Sequence, residues 1–379
     1  MSQPLLPLPA TAAPYREHEV ADPVRIQALA DAIDFRGEVL TQMLGRHFLS
    51  VSHLNRELIE QLMCLAAGFE SGRFAVKPVL AGKVLTTAYL DQSTSRTRLS
   101  FESAMLRLGG SVMDFGERLE HLEGSRGLLC EVVEMCSSLG DLAVVRTQDA
   151  DTLSNVLGAF RVPIINAGNG IGENPSHSLA DLYTLLKWRP DLLQQQPEKP
   201  IRVGIIGAPG NMRTIRGFLL ALALFPAAIE RVVIFSRQAK LFSPGQREQL
   251  EAAGLVVQTD QELYPHKTIN ASTAAEFPEL DLLYIHATGE RQLSRQARIE
   301  ALRVLKAGAL VLHPETRVED SVSNLDNSSH NGSFVQARGG VFVRIALIAS
   351  ILGSVPMNSE SSENSESSDT QQGTAEDGG

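Results

Sequence analysis

Between an apolar run, Val84–Leu90, and a helical pattern from Leu99 to Leu108 lie Ser93, Thr94, Ser95, Arg96, Thr97 and Arg98. A strand-to-helix turn offers unpaired backbone N–H groups and the positive end of a helix dipole. Hydroxyls add donors, and two arginines at i and i+2 add charge in a form that grips phosphate oxygens bidentately. The cluster is an anion cradle, most naturally for phosphate. A plain helix cap with surface arginines uses the same residue types, and composition alone leaves the two readings level.

Arg146 ends an otherwise apolar run, where a guanidinium is costly unless it meets an anion or a carboxylate. A second strand-to-helix connection, 166–177, holds Asn174 and His177 three residues apart, on one face of a helix that has begun. Gly207-Ala-Pro-Gly-Asn-Met-Arg213 is Gly-rich but lacks the G-x-G-x-x-G spacing of a dinucleotide fingerprint.

These clusters need elements to carry them. Apolar runs at Val84–Leu90, Ser111–Phe115, Leu142–Arg146 and Val162–Asn166 alternate with helical patterns at 99–108, 127–139, 151–160 and 176–188. After a Gln/Pro/Lys-rich linker, Pro190–Pro200, the alternation restarts with strands at Ile201–Ile206, Val232–Phe235, Leu255–Thr259, Asp281–His286 and Ala309–Leu312, and a helix at 213–225. The fold class is therefore α/β: two Rossmann-like, doubly wound domains with mostly parallel sheets, and ligands in the cleft at the carboxyl ends of the strands. Residues 24–72 read as helical, with Leu58, Ile59, Leu62 and Met63 at core spacing behind Ser52 and Asn55.

The 379 residues suit two domains, and 43% hydrophobic content with 21% charge is globular. No run of eighteen uncharged apolar residues suggests a membrane span, and the N-terminus lacks the basic start of a signal peptide. Three cysteines, Cys64, Cys130 and Cys136, fit a reducing cytoplasm rather than a disulfide framework. The formal charge of −10 includes six acids and no base in 357–379, so the remainder carries about −4 and gives no support to nucleic-acid binding. That Ser/Glu-rich tail has nothing to bury and is expected to be disordered. Residues 1–45 are expected to be an extension, more a solvated arm than a docking arm for a partner enzyme. Trp188 is expected to pack at the domain junction, Cys130 and Cys136 to be buried, and His121, His266 and His330 to be surface or turn residues.

Thr94–Arg98 followed by Leu99-Ser-Phe-Glu102 and Leu108-Gly-Gly110 resembles the carbamoyl-phosphate signature of the aspartate/ornithine carbamoyltransferase family. Asn166-Ala-Gly168 with Asp181-Leu-Tyr-Thr184 is similar to its second signature. His313-Pro-Glu-Thr-Arg317, Phe334-Val-Gln-Ala337 and Arg344-Ile-Ala-Leu347 are similar to the closing segment of its aspartate branch. The matches run in order from about residue 45 to 353. The resemblance implies attack of an amine on carbamoyl phosphate through a tetrahedral intermediate, with no metal or cofactor. It implies Arg96 and Thr97 on the phosphate, Thr94 and Ser95 as backbone donors, Arg146 across phosphate and carbonyl oxygen, Arg213 on the acceptor's α-carboxylate, and the Pro314 and Glu315 carbonyls at an amine. It also implies a carbamoyl-phosphate domain at 46–188, an acceptor domain at 189–338, a C-terminal helix at 339–356 packing back on the first, and a homotrimer with shared sites.

The sequence departs from that pattern at the acceptor end. The signature's histidine and glutamine are Asn174 and His177 here; an Asn amide still donates to an oxyanion, and His177 supplies an imidazole from the same face. The loop 117–127, which in the family sends a lysine into the neighbouring subunit, holds only Arg118 and Arg126 as candidates. The arginine that reads the acceptor's side-chain carboxylate is missing after Asp281–His286, with Arg291 a displaced stand-in. Glu315 favours a cationic amine over aspartate. Three readings stay open: a carbamoyltransferase acting on L-aspartate in pyrimidine synthesis, one acting on a different amine, and a catalytically weak structural or regulatory paralogue.

Overall fold

The computed structural model describes residues 22–90, 96–115, 126–148, 150–236, 238–260, 276–286, 302–313 and 328–356. The helices are α1 (Pro23–Asp31), α2 (Gly37–Leu40), α3 (Arg56–Ser71), α4 (Arg96–Arg107), α5 (Arg126–Leu139), α6 (Ala150–Val156), α7 (Pro175–Trp188), α8 (Arg213–Leu222), α9 (Gln246–Ala252) and α10 (Ser333–Ile351). The strands are β1 (Val84–Tyr89), β2 (Ser111–Asp114), β3 (Leu142–Thr147), β4 (Ile164–Asn169), β5 (Ile201–Ile206), β6 (Ile229–Phe235), β7 (Val257–Asp260), β8 (Leu282–Ile285) and β9 (Leu310–Leu312).

The strands form two all-parallel sheets, β2-β1-β3-β4 and β7-β6-β5-β8-β9. β1, β3, β5 and β8 are buried along almost their whole length and mostly apolar, as strands covered on both faces must be. The two-sheet α/β architecture expected from the alternation is therefore the one observed. In the first sheet the chain reverses its winding between β1 and β3; in the second, between β5 and β8. Crevices at such switch points, beyond the carboxyl ends of the strands, are where open α/β sheets take ligands.

Several boundaries move for physical reasons. The strand expected from Val162 begins at Ile164, because Pro163 has no N–H to give the ladder. The expected helical stretch 24–72 is three helices. Asp22 caps α1 through its carboxylate, and Asn55 caps α3, which stops at left-handed Gly72. Residues 22–45 are not a solvated arm: Ile26, Leu29, Ala30, Phe35, Leu40 and Met43 lie in the main core, and α1 packs on α3. Residues 1–21 and the tail 357–379 lie outside the described residues.

The segment after α7 is pinned rather than loose, with Arg189 bonded to Asp191 and to the Lys199 carbonyl. Trp188 is buried in the main core, as expected at this junction. Cys136 is buried, but Cys130 is exposed, contrary to expectation; its helix turns that position outward. His330 sits in a turn, its ring 2.8 Å from the Ala309 carbonyl; His121 and His266 lie outside the described residues.

The C-terminal helix, expected over 339–356, is observed over Ser333–Ile351 and lies against α7, α3 and α4. Among the described residues α10 is long and apolar enough to cross a bilayer, but 72% of its apolar window is buried inside the protein. It is a core helix.

Candidate active site

Arg146 is the last residue but one of β3, opposite Tyr89 of β1, while on its other side the pairing with β4 slips between Val145 and Thr147. Such irregularities turn a side chain out of its regular direction. Across the slip stands Gly168, at φ +133°, a backbone region that L side chains avoid. A Cβ built there would meet Arg213 Cζ at 3.5 Å and Arg146 Cδ and Cγ at 3.6 Å. Two arginines, one from each half of the chain, therefore converge on this glycine. Arg213 opens α8 directly after β5 and donates to the Gly170 carbonyl at 3.1 Å. Asn166 shapes the same turn: its Nδ2 donates to the Leu49 carbonyl and its Oδ1 accepts from Gly168 N.

Arg96 and Thr97 are the first residues of α4, so the anion cradle expected from sequence sits at the N-terminus of a twelve-residue helix, beyond the carboxyl end of β1. Arg98 points elsewhere. Its guanidinium is paired with Glu102, at 3.2 Å, and with Asp114 at the end of β2. It ties α4 to the edge strand, a structural use that the substrate-binding expectation did not include.

Asn174 is the cap of α7. Its Oδ1 accepts from His177 N and from the Ser176 hydroxyl, so the carbonyl half of the amide is spent on the helix start. His177 stands one turn on, and the pull on its pKa identifies its surroundings. Burial first, then the charges of Arg344, Arg96, Arg213 and Arg146, lower it to about 3, so the ring is neutral at pH 7. Arg96, Arg146, Arg213 and His177 thus belong to one electrostatic neighbourhood, assembled from α4, β3, α8 and α7. The described part of the site is a concentration of positive charge over a neutral imidazole.

Thr94, Ser95, Arg291, Pro314 and Glu315 lie outside the described residues, as does most of the loop 117–127. Arg126 opens α5, and its side chain is likewise outside them.

Sequence reasoning assigned no role to the floor beneath this cluster. Asp181, one turn after His177, is fully buried and accepts from Tyr284 Oη of β8 at 2.7 Å and from Gln336 Nε2 of α10. Burial raises its pKa to about 7 against the opposing pull of those two donors and Arg344. Arg344 is also buried: it donates to the Gly340 carbonyl, lies 5.0 Å over the Phe101 ring, and has its pKa lowered to about 10 by burial. The signal present in the sequence was a polar residue inside an apolar helical stretch, at Asp181 and at Arg344; the side-chain partners of Asp181, Tyr284 and Gln336, are over a hundred residues away.

Residues 46–187 match the family described as aspartate/ornithine carbamoyltransferase, carbamoyl-P binding domain. The aspartate carbamoyltransferase catalytic subunit of Methanospirillum hungatei is 30% identical over 318 residues, covering 81% of this chain and 99% of that one. The corresponding subunit of Thermofilum pendens is 32% identical over 322 residues, covering 81% and 95%. Among solved structures, aspartate transcarbamoylase of Trypanosoma cruzi in complex with aspartate and phosphate superposes with a TM-score of 0.69 at 25% identity, covering 83% of this chain and 97% of that one. The same enzyme in complex with N-(phosphonacetyl)-L-aspartic acid gives 0.70 at 26% identity, with the same coverage.

Proposed function

This chain belongs to the aspartate/ornithine carbamoyltransferase family, and from that membership we propose that it transfers the carbamoyl group of carbamoyl phosphate to the amine of L-aspartate. The observation that carries the reading is the meeting of Arg146 and Arg213 over Gly168, beside the N-terminus of α4. The reaction needs a phosphate held and neutralised, a carbonyl oxygen stabilised as it gains charge, and an amine oriented by its own carboxylate.

Arg96 and Thr97, with Thr94 and Ser95 before them, hold the phosphate. Arg146 bridges phosphate and carbonyl oxygen, and the Asn174 amide adds a donor to that oxygen. Arg213, coming from the other sheet, takes the acceptor's α-carboxylate, so the two substrates meet where the two arginines meet. The amine nitrogen bonds to the carbonyl carbon, phosphate leaves with the electrons of the C–O bond, and the proton that the nitrogen gives up goes to the departing phosphate. Arg126, in place of the loop lysine, reaches the phosphate site of the neighbouring subunit, and Arg291 with the Pro314 and Glu315 carbonyls completes the acceptor side in this reading. Residues 46–188 serve carbamoyl phosphate and 189–338 the acceptor.

The enzyme is proposed to act in the cytoplasm as a homotrimer. Support for the first is that Cys64, Cys130 and Cys136 are all free thiols. Support for the second is an apolar stripe on α4, where Leu99 and Leu106 are 66% and 60% exposed.

Product formation tests the function. Purified protein is given carbamoyl phosphate and a panel of amines led by aspartate, and the carbamoylated product is scored by mass spectrometry, since free phosphate also arises from spontaneous breakdown. Carbamoyl-aspartate that disappears in Arg96→Ala and Arg146→Ala is the expected result. Another carbamoylated amine, or no product from a folded oligomer, overturns it.

A further inference from the structure

His177 and Asp181 face each other one turn apart on α7, with His177 Nε2 3.5 Å from Asp181 Oδ1. Among the described residues Nε2 is buried and has no hydrogen-bond partner, while 19% of the His177 side chain remains exposed. The exposed part of the ring therefore lies away from Nε2. Gln336 donates to the same Asp181 oxygen and Tyr284 to the other, so Oδ1 is an acceptor whether the carboxyl is ionised or carries its proton on Oδ2. A ring nitrogen sealed against an acceptor carries the ring's proton, and that choice decides what the opposite nitrogen can do.

We propose that Asp181 is a positioning residue for carbamoyl transfer: clamped by Tyr284 of the second sheet and Gln336 of the C-terminal helix, it holds His177 as the Nε2–H tautomer and so leaves Nδ1 as a hydrogen-bond acceptor for an N–H of the bound substrates. The clamp joins three parts of the fold, α7, β8 and α10, to one imidazole. It also gives the exchanged pair Asn174 and His177 distinct tasks: the Asn amide donates, and the imidazole accepts. Burial first, and then Arg344 of α10, Arg96 of α4, Arg213 of α8 and Arg146 of β3, keep the imidazole neutral, so that the tautomer is the property that matters. The catalytic part of this inference rests on the proposed function; the tautomer does not.

The test is a long-range 1H–15N spectrum of the full-length protein labelled at histidine, with the His177 signals assigned by their loss in His177→Gln. The wild-type ring is expected to be protonated on Nε2. In Asp181→Asn the amide can donate to Nε2 instead, so the ring should change to Nδ1–H, and kcat for carbamoyl-aspartate should fall roughly 100-fold with KM for carbamoyl phosphate little changed. Gln336→Met, which removes the donor that fixes Oδ1, should give a mixture of the two tautomers, and it keeps the test open if Asp181→Asn does not fold. A wild-type ring protonated on Nδ1, or a ring unchanged by both substitutions, overturns the proposal. The expected tautomers in a protein that makes no carbamoyl-aspartate would instead overturn the proposed function and leave the clamp standing.

Discussion

Lys187 Nζ lies 2.9 Å from Glu70 Oε2, with the two side chains 0% and 2% exposed. The same carboxylate accepts from Tyr183 Oη at 2.6 Å, and the ammonium lies 4.6 Å from the Tyr183 ring centroid, so one buried ion pair ties the C-terminal end of α7 to α3. Two charges taken out of water together can be close to neutral in free energy, but one left alone is not. Lys187→Met should therefore cost about 3–5 kcal/mol, since Arg338, 3.9 Å from the other oxygen and largely exposed, replaces it poorly. The double variant Glu70→Leu/Lys187→Met should recover most of that loss. Urea unfolding of the four proteins in this cycle checks the claim, and equal destabilisation of single and double variants would contradict it.

Gly168 should tolerate no side chain. Contacts of 3.5 and 3.6 Å to Arg213 and Arg146 are ordinary packing distances, so the obstacle is the backbone at φ +133°. Gly168→Ala is expected to cost about 1–3 kcal/mol if the backbone holds its shape. If the backbone relaxes instead, the two guanidinium groups separate and kcat/KM falls roughly 100-fold. Gly158→Ala is the control, because a Cβ there meets nothing within 4 Å. Thermal melts and steady-state rates on both variants decide which of the two costs is incurred; a Gly168→Ala protein equal to wild type in both would refute the assignment.

The sheets were legible because β1, β3 and β5 are short apolar runs followed by polar turns, a pattern set by burial on both faces. The place of the proposed anion cradle was legible too, since its residues are consecutive and Arg96 and Thr97 open α4 where β1 hands over to a helix. What escaped was whatever depends on partners distant in sequence. Arg98 reads from sequence as part of the anion cradle, and its pairing with Asp114 of β2 could not be read from its neighbours in the chain. Asp181 was one polar residue in a helix signature, and nothing local pointed to Tyr284 or Gln336, 103 and 155 residues away. Residues 22–45 looked like an arm because α1 is weakly amphipathic; its few apolar groups matter only once α3 supplies the opposing face.

Leu99 and Leu106 stand seven residues apart on α4, which puts them on one face two turns apart, both exposed. If this stripe is the subunit contact of the proposed homotrimer, Leu99→Glu/Leu106→Glu should yield a folded monomer. Sedimentation velocity gives the mass and circular dichroism the fold. Loss of activity together with loss of assembly would indicate a site that needs a neighbouring chain; a trimer that persists in the double variant would place the contact elsewhere.

The pair His177 and Asp181 makes the last prediction, in which two linkage effects oppose each other. His177 titrates near 6.5 in an unfolded chain and at about 3 in the protein. Between those values the unfolded chain binds a proton that the native state refuses, so this group's contribution is present above pH 6.5 and is lost as the pH falls. Asp181 titrates near 3.8 when unfolded and at about 7 when folded. Here the native state holds the proton, so the contribution is full below pH 3.8 and is lost as the pH rises through 7. Each slope reaches about 1.4 kcal/mol per pH unit, and the two have opposite sign where their windows overlap, between 3.8 and 6.5. In the wild-type protein they cancel. His177→Gln removes the first, so its stability relative to wild type should fall with rising pH across that window; Asp181→Asn removes the second and should rise. Urea midpoints taken from pH 4 to 6.5 on the three proteins measure this directly. Parallel profiles would mean that neither group is shifted in the folded chain, and that the floor of the site is wetter than its packing implies.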